Sequence, residues 1–321
     1  MVGAAGSARV ALVLGGGGVL GIAWMLGALR ALVSETAWDP RRADLVVGTS
    51  AGALVGSLVL GRGRAWELPP EERGHVVSTM LAGAELRPER PIRIRLPGSW
   101  ALAWSNARRA AVPRLSRLTA GLAPQGVLST APIRSLVRRL GPDEWPQRPA
   151  LAVVATDYRT GERVAFGTPG APPVGLPDAV AASCAIPALY RPVDIGGRLY
   201  VDGGVGSLCD LDLALSCRPH LVVYLNALSS PPSSGGAWGG RWMRARLHER
   251  VMRKVRDLEA AGSRVVLLEP GRDALRRIGL NPMRRRGASV LASAAAEEVA
   301  HHLRFPGVRR KLVMLDLIAG R

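Results

Sequence analysis

Lysine and aromatic residues are scarce in this chain of 321 residues. Aromatics make up only 4%, so the core must be built largely from Leu, Val and Ala, and with Lys254 and Lys311 the only lysines nearly every cation is an arginine. The hydrophobic share of 48% is still ample for one large domain or two small ones. Cysteine is scarce as well: Cys184, Cys209 and Cys217 are odd in number and lack Cys-x-x-Cys spacing. That pattern argues against a disulfide framework or a zinc site and points to reduced thiols in the cytoplasm. The apolar stretch Val10 to Leu29 is free of charge, and six of its residues are glycine, four of them consecutive. Such a run suits strand, loop and helix better than a membrane span. No small-residue cleavage site follows it, which argues against a signal peptide, so the protein is expected to be soluble or peripherally attached.

What is abundant is positive charge. The net charge is +18, although Arg and Ala enrichment together is also what a GC-rich genome produces. The charge is uneven: residues 62–139 hold 14 Arg against 5 Glu, and residues 235–256 hold 7 basic residues against Glu249. An anionic membrane surface or headgroup suits these patches better than nucleic acid, for which no recognition motif accompanies them.

Glycine marks the informative places. Asp44-Leu45-Val46-Val47 reads as a short buried strand and Ala51 to Leu60 as a small-residue helix, with Gly48-Thr49-Ser50-Ala51-Gly52 at the junction. A Gly-x-Ser-x-Gly there is either a nucleophile elbow, with Ser50 in a strained backbone conformation, or a plain helix start capped by Thr49 or Ser50. Upstream, Arg9 to Leu14 reads as a first strand, Gly15 to Gly18 as a loop, and Leu20 to Ser34 as a helix. The bare N–H groups of such a loop converge on an anion. Gly16-Gly17-Gly18-Val19-Leu20-Gly21 also fits the dinucleotide fingerprint, but the second strand ends in Gly-Thr-Ser-Ala-Gly where that fingerprint needs an acid.

Residues 62–130 are rich in Arg, Pro and Trp and read as a basic insertion or cap; regular patterning returns at Ala150. Strands are expected over 151–156, 163–167, 192–195, 198–201, 221–226 and 264–268, and helices over 177–184, 211–216, 242–261 and 288–303. The strand at 198–201 runs into Asp202-Gly203-Gly204, which is either a local turn or an aspartate projected into a site. Alternating strands and helices predict a three-layer α/β/α fold with a mainly parallel central sheet. In such sheets the loop, the elbow and Asp202 all fall at the strands' C-terminal ends.

These three motifs in this order resemble the patatin-like phospholipase family, and the stretches 154–157 and 181–187 are also similar to bacterial members. The resemblance covers roughly residues 8–60 and 150–226 of what would be a single hydrolase domain over 1–321. Residues 62–130 would form its insertion and 229–321 an extension packed on the core. It implies a serine acyl hydrolase of phospholipase A, lysophospholipase or esterase type, acting without metal or cofactor on lipid acyl esters. Ser50 would be the nucleophile and Asp202 the base, with the N–H groups of Gly16, Gly17 and Gly18 holding the oxyanion at about 3 kcal/mol per donor. Gly21, Gly48, Thr49, Ala51, Gly52, Gly203 and Gly204 complete the motifs. An aspartate at its free pKa of about 3.9 is a weak base, so the site should be dry enough to raise it. One departure is Leu20, where many members carry Arg or Lys.

Two rivals carry different expectations. An ordinary α/β-hydrolase would complete a triad with His220, His301 or His302. A lipid-binding or scaffolding module would keep the site only as a vestige.

Overall fold

A computed structural model of the chain describes residues 8–64, 66–67, 99, 102, 121–124, 126–234, 238–279, 281–284 and 286–319. Most of the basic 62–130 stretch, like the first seven residues, lies outside the described residues. The elements before it are β1 (Val10–Leu14), α1 (Gly18–Thr36), β2 (Leu45–Thr49) and α2 (Ala51–Val59). After it come α3 (Ala131–Leu140), β3 (Ala150–Asp157), β4 (Arg163–Phe166), α4 (Leu176–Ser183), β5 (Val193–Ile195) and β6 (Arg198–Asp202). The one-turn helix α5 (Gly203–Gly206) and a 3-10 helix (Leu211–Cys217) lead to β7 (Leu221–Leu225), α6 (Trp238–Ala260) and β8 (Arg264–Leu268). The described chain ends with α7 (Arg272–Ile278), α8 (Ala288–Leu303) and α9 (Pro306–Ala319).

The strands form one mixed sheet in the order β5-β6-β3-β2-β1-β7-β8, with β4 also paired to β3. Five neighbouring strands, β3-β2-β1-β7-β8, run parallel. Parallel strands are covered on both faces, which is why they read as unbroken apolar runs rather than as alternation. Alternate residues nonetheless go to opposite layers. Leu12, Leu14, Val46, Val153 and Val223 join a core with α1, α2, α4 and α8, whereas Val13, Val47, Val154 and Val222 meet Val251, Val255 and Leu258 of α6. The result is the predicted three-layer α/β/α arrangement.

Register at β3 decides where the site forms. β4 pairs antiparallel with residues 153–156 of β3, β2 pairs parallel with 150–154, and β6 pairs antiparallel with 155–157. Because β4 overlaps both of the others, β2 and β6 must share the opposite edge of β3, end to end. Thr49, the last residue of β2, faces Val154, and Asp202, the last residue of β6, faces Ala155. Two C-terminal strand ends therefore meet head-on.

The apolar run at 10–29 supplies β1 and most of α1. Helix α1 is long and apolar enough to cross a membrane by length and composition, but 78% of its most apolar window is buried within the fold. Among the described residues the three cysteines are free thiols. Differences from sequence expectation are local. Residues 211–216, expected as an α-helix, form a 3-10 helix, and α3, α7 and α9 are helices that periodicity alone did not mark. Each of those three is short or arginine-rich and takes its order from the neighbours it covers.

The C-terminal segment lies tightly on α1. A Cβ on Gly27 of α1 would fall 2.1 Å from the Ala292 carbonyl oxygen and 3.0 Å from Ala295 Cβ, both on α8. Gly27→Val should therefore destabilise the fold by about 3 kcal/mol or more in urea unfolding. An unchanged midpoint would contradict close α1–α8 packing.

Candidate active site

The Gly48–Gly52 turn is shaped by backbone crowding. A Cβ on Gly52 would sit 2.0 Å from the Leu14 carbonyl oxygen, and one on Gly48 would sit 2.6 Å from Ala53 Cα. Only glycine lets α2 leave β2 so close to β1. Ser50 itself has φ 54 and ψ −119, a conformation that L residues seldom adopt and that neighbours must hold in place. The holding bonds come from α4. The Ser50 N–H donates to Ser183 Oγ at 2.8 Å, the Ser183 hydroxyl donates to the Val154 carbonyl at 2.6 Å, and the Cys184 thiol donates to the Ser50 carbonyl at 3.2 Å. Neither Ser183 nor Cys184 was assigned a role from sequence, although both lie in the 181–187 stretch that resembles bacterial relatives.

Asp202 arrives from the other direction along the same edge of β3. Its N–H donates to the Ala185 carbonyl at 3.0 Å, and its Oδ1 accepts the Gly204 N–H at 2.8 Å. Gly203 turns the chain where a Cβ would lie 2.4 Å from the Val154 carbonyl oxygen and 2.9 Å from Thr49 Cγ2, so the two strand ends touch. The second carboxylate oxygen, Oδ2, is buried with no hydrogen-bond partner among the described residues. The Ser50 hydroxyl is near enough to favour the charged carboxylate but short of a formed hydrogen bond. Burial, the largest influence, pushes the Asp202 carboxyl up to about 6. The nearby Ser50 hydroxyl and the Gly204 N–H oppose it, and the charge of Asp210 adds to it.

The glycine loop closes the third side. The N–H groups of Gly16, Gly17 and Gly18 have no acceptor among the described residues, whereas Leu20 N–H donates to the Pro282 carbonyl at 2.9 Å. These free donors stand at the N-terminus of α1, where the helix dipole favours negative charge. Gly16 lies beside Ser50, since a Cβ there would be 3.8 Å from Ser50 Cβ. Gly18 has φ +61, and Met283 Sδ and the Pro282 carbonyl oxygen occupy the space a side chain would need. Gly21 packs close behind the loop: its Cα would lie 2.7 Å from a Cβ on Gly17.

The three motifs line one cavity of about 510 Å³ with a mostly apolar wall. Ile186, Pro187, Leu208, Leu228 and Met283 supply much of that wall. Asp202 and Asp210 are the charged residues that line it among those described. Leu20, where a cation was noted as missing, is buried in the core beneath the loop. No histidine among the described residues lines the cavity. His220 binds the Arg9 N–H at the start of β7, the opposite end of the sheet, and His301 and His302 pack edge-on and tilted against Phe305 just beyond α8. Among the described residues, the Ser-Asp-His alternative has no histidine at the cavity.

An ionised Asp202 in so dry a place costs stability. Its folded pKa of about 6 lies above the unfolded value. The proton it binds in the folded state therefore adds stability below about pH 4, and that contribution is lost as pH rises through 6. Asp202→Asn removes the cost. It should raise unfolding stability at pH 8 by about 1–3 kcal/mol, with the gain vanishing near pH 4. Denaturant titrations of both proteins at the two pH values check this, and an equal or lower stability for the variant at pH 8 would contradict the dry carboxylate.

Among solved structures the chain is similar to VipD from Legionella pneumophila at 16% identity and a TM-score of 0.36, covering 92% of this chain and 67% of that one. It is similar to the type III effector protein ExoU at 16% identity and a TM-score of 0.35, covering 95% of this chain. The chain spans about half the length of ExoU, 54%. The family model described as patatin-like phospholipase matches residues 12–215, from β1 to the 3-10 helix beyond Asp202. A match running over more than half of the sequence means that the chain belongs to the patatin-like phospholipase family, a family of lipid acyl hydrolases.

Proposed function

We propose that the protein is a serine acyl hydrolase of phospholipase A, lysophospholipase or esterase type, working through a Ser50–Asp202 dyad and an acyl-enzyme. The observation that carries this reading is the orphaned Asp202 Oδ2, which shares one cavity with Ser50 and the free N–H groups of the glycine loop. A buried acceptor left without a donor is costly unless a reacting group fills the vacancy.

In the reaction Ser50 Oγ attacks the ester carbonyl as Asp202 Oδ2 takes its proton. Negative charge then grows on the carbonyl oxygen, and the N–H groups of Gly16, Gly17 and Gly18 receive it. The tetrahedral intermediate collapses by breaking the ester C–O bond, and the leaving alcohol takes the proton from Asp202. Water then gives a proton to Asp202 and attacks the acyl-enzyme; Ser50 recovers its proton as the carboxylic acid leaves. A base with a pKa of about 6 suits this better than one at about 4, because its proton affinity lies nearer the working pH while it remains ionised at pH 7. The apolar wall suits an acyl chain.

Purified wild type, Ser50→Ala and Asp202→Asn are compared for release of p-nitrophenol from short and medium-chain acyl esters without added metal. Both variants should lose about 10³-fold or more in kcat/KM. The wild-type kcat/KM should climb about tenfold per pH unit on the acid side and level off above an apparent pKa near 6. Equal low rates for all three proteins would discard the dyad in favour of a binding module.

We further propose that the enzyme works in the cytoplasm, peripherally attached to an anionic membrane through the outer face of α6. Trp242 is 67% exposed and Met243 58%, and Arg246 stacks over the Trp242 ring at 4.9 Å. Arg241, Arg250 and Arg253 are exposed on the same helix. An aromatic ring with surrounding arginines suits the headgroup layer of an anionic bilayer. The helix is tied to the cavity wall, since Arg244 donates to the carbonyls of Ala227, at 3.0 Å, and Leu228. In a Ser50→Ala background, phosphatidylglycerol vesicles should sediment the protein and phosphatidylcholine vesicles should not. Adding Trp242→Ala and Arg246→Ala should weaken the binding several-fold. With Ser50 present, the same two changes should leave p-nitrophenyl ester turnover unchanged. Equal binding to both vesicles would refute the charge argument.

A further inference from the structure

A second buried carboxylate, Asp210, lines the same cavity as Ser50 and Asp202 and is 3% exposed. Its Oδ2 accepts the Thr49 hydroxyl at 2.6 Å, and its Oδ1 accepts an Arg163 N–H at 3.0 Å. Thr49 is the last residue of β2, so this bond grips the strand end from which the strained Ser50 turn springs. Arg163, on β4, also donates to Asp212 at 2.6 Å, and Lys254 of α6 reaches Asp212 at 3.1 Å. Asp210 thus joins β2 to β4 and, through Arg163 and Asp212, to α6. No Gly-x-x or turn signal in the sequence marks it out, and the Ser50 and Asp202 reading makes no use of it.

We propose that Asp210 is a positioning residue for the hydrolysis: through Thr49 it holds the Ser50 turn in its strained conformation, and its charge makes Asp202 a stronger base. The inference rests on the Ser50–Asp202 dyad. The geometry supplies both parts. A charge-assisted hydrogen bond to a buried hydroxyl is among the stronger side-chain interactions, and here it acts on the residue adjoining the nucleophile. A like charge along one apolar cavity disfavours ionisation of its neighbour, adding to the larger effect of burial on Asp202. The charges behind Asp210 do not cancel this. Arg163 is shared between Asp210 and Asp212, and Lys254 bonds Asp212, so the two cations are matched by two anions, with Asp210 in the cavity wall. The other titratable neighbours are Cys184 beside Asp202, and Cys209 and Tyr224 beside Asp210. Burial raises all three, which keeps them neutral at pH 7. Asp202 and Asp210 then titrate as an interacting pair, and the acid limb of the pH profile belongs to both.

The test compares kcat/KM against pH on a p-nitrophenyl ester for wild type, Asp210→Asn, Thr49→Val and Arg163→Gln, with circular dichroism to check folding. Asp210→Asn keeps the shape but removes the charge. Its acid limb should move to lower pH by roughly a few tenths to one unit, with a plateau several-fold lower because the base is weaker. Thr49→Val loosens the turn but keeps the charge, so its plateau should fall by about tenfold with the acid limb on the high-pH side of that of Asp210→Asn. Arg163→Gln uncovers the Asp210 charge and should move the limb to higher pH, and it carries the test alone if Asp210→Asn does not fold. A purely structural role would lower rates without moving the limb in opposite directions. A Ser50-dependent limb that stays in place in both charge variants overturns the inference while leaving the dyad intact. Absence of any Ser50-dependent turnover removes the dyad, and this inference with it.

Discussion

The head-on meeting of β2 and β6 along one edge of β3 is the constraint on which the site depends. A parallel and an antiparallel strand placed end to end along one edge meet at like ends, and here these are the C-terminal ends: Thr49 and Asp202 stop at adjacent partners, Val154 and Ala155. The chain must turn away at both ends at once. Ser50 does so with a positive φ into α2, and Gly203 does so in contact with Thr49. A hydroxyl and a carboxylate far apart in sequence are thereby brought to one point without a flexible loop carrying either.

That arrangement is stabilised from outside the two motifs. Ser183 of α4 links the Ser50 N–H to the Val154 carbonyl, and Thr156 of β3 donates to the Asp202 carbonyl at 3.1 Å. Of the two Asp202 carboxylate oxygens, Oδ1 is held by the Gly204 N–H, and Oδ2 is buried without a partner among the described residues. The raised proton affinity of Asp202 follows from the same burial. Stability is given up at that position, as is common where charge is held in a dry site.

The segment beyond the family match is part of the same structure. Residues 281–284 lie over the start of α1, with the Pro282 carbonyl taking the Leu20 N–H and Met283 against Gly18. Of the orphan donors at that helix start, one is thus capped by the protein and the glycine N–H groups remain open. Helix α8 braces the other side of α1 through the Gly27 contact. The wall of the cavity over the glycine loop is therefore supplied from more than 200 residues downstream of it.

Much of this was written locally. The apolar runs at 10–14, 45–47 and 221–225 read as short buried strands, and the glycines at 48 and 52, which the structure shows where backbones nearly touch, read as either a nucleophile elbow or a plain helix start. The order of glycine loop, elbow and Asp-Gly-Gly was legible because each motif is contiguous and its chemistry is set by near neighbours. Ser183 and Asp210 were not, because an ordinary serine in a small-residue helix and an aspartate ahead of a 3-10 turn look like any others until β3 and β6 bring them against residues 49 and 50. The same holds for α3, α7 and α9, whose sequences are too short or too charged to declare a helix without the surfaces they cover. By itself the sequence determined the parallel sheet and the three special turns, since hydrophobic runs and glycines act over a few residues. Only the tertiary structure decided that two strand ends meet, that the meeting place is dry, and that a second carboxylate stands behind it, because register, burial and electrostatic coupling exist only between segments distant in the chain.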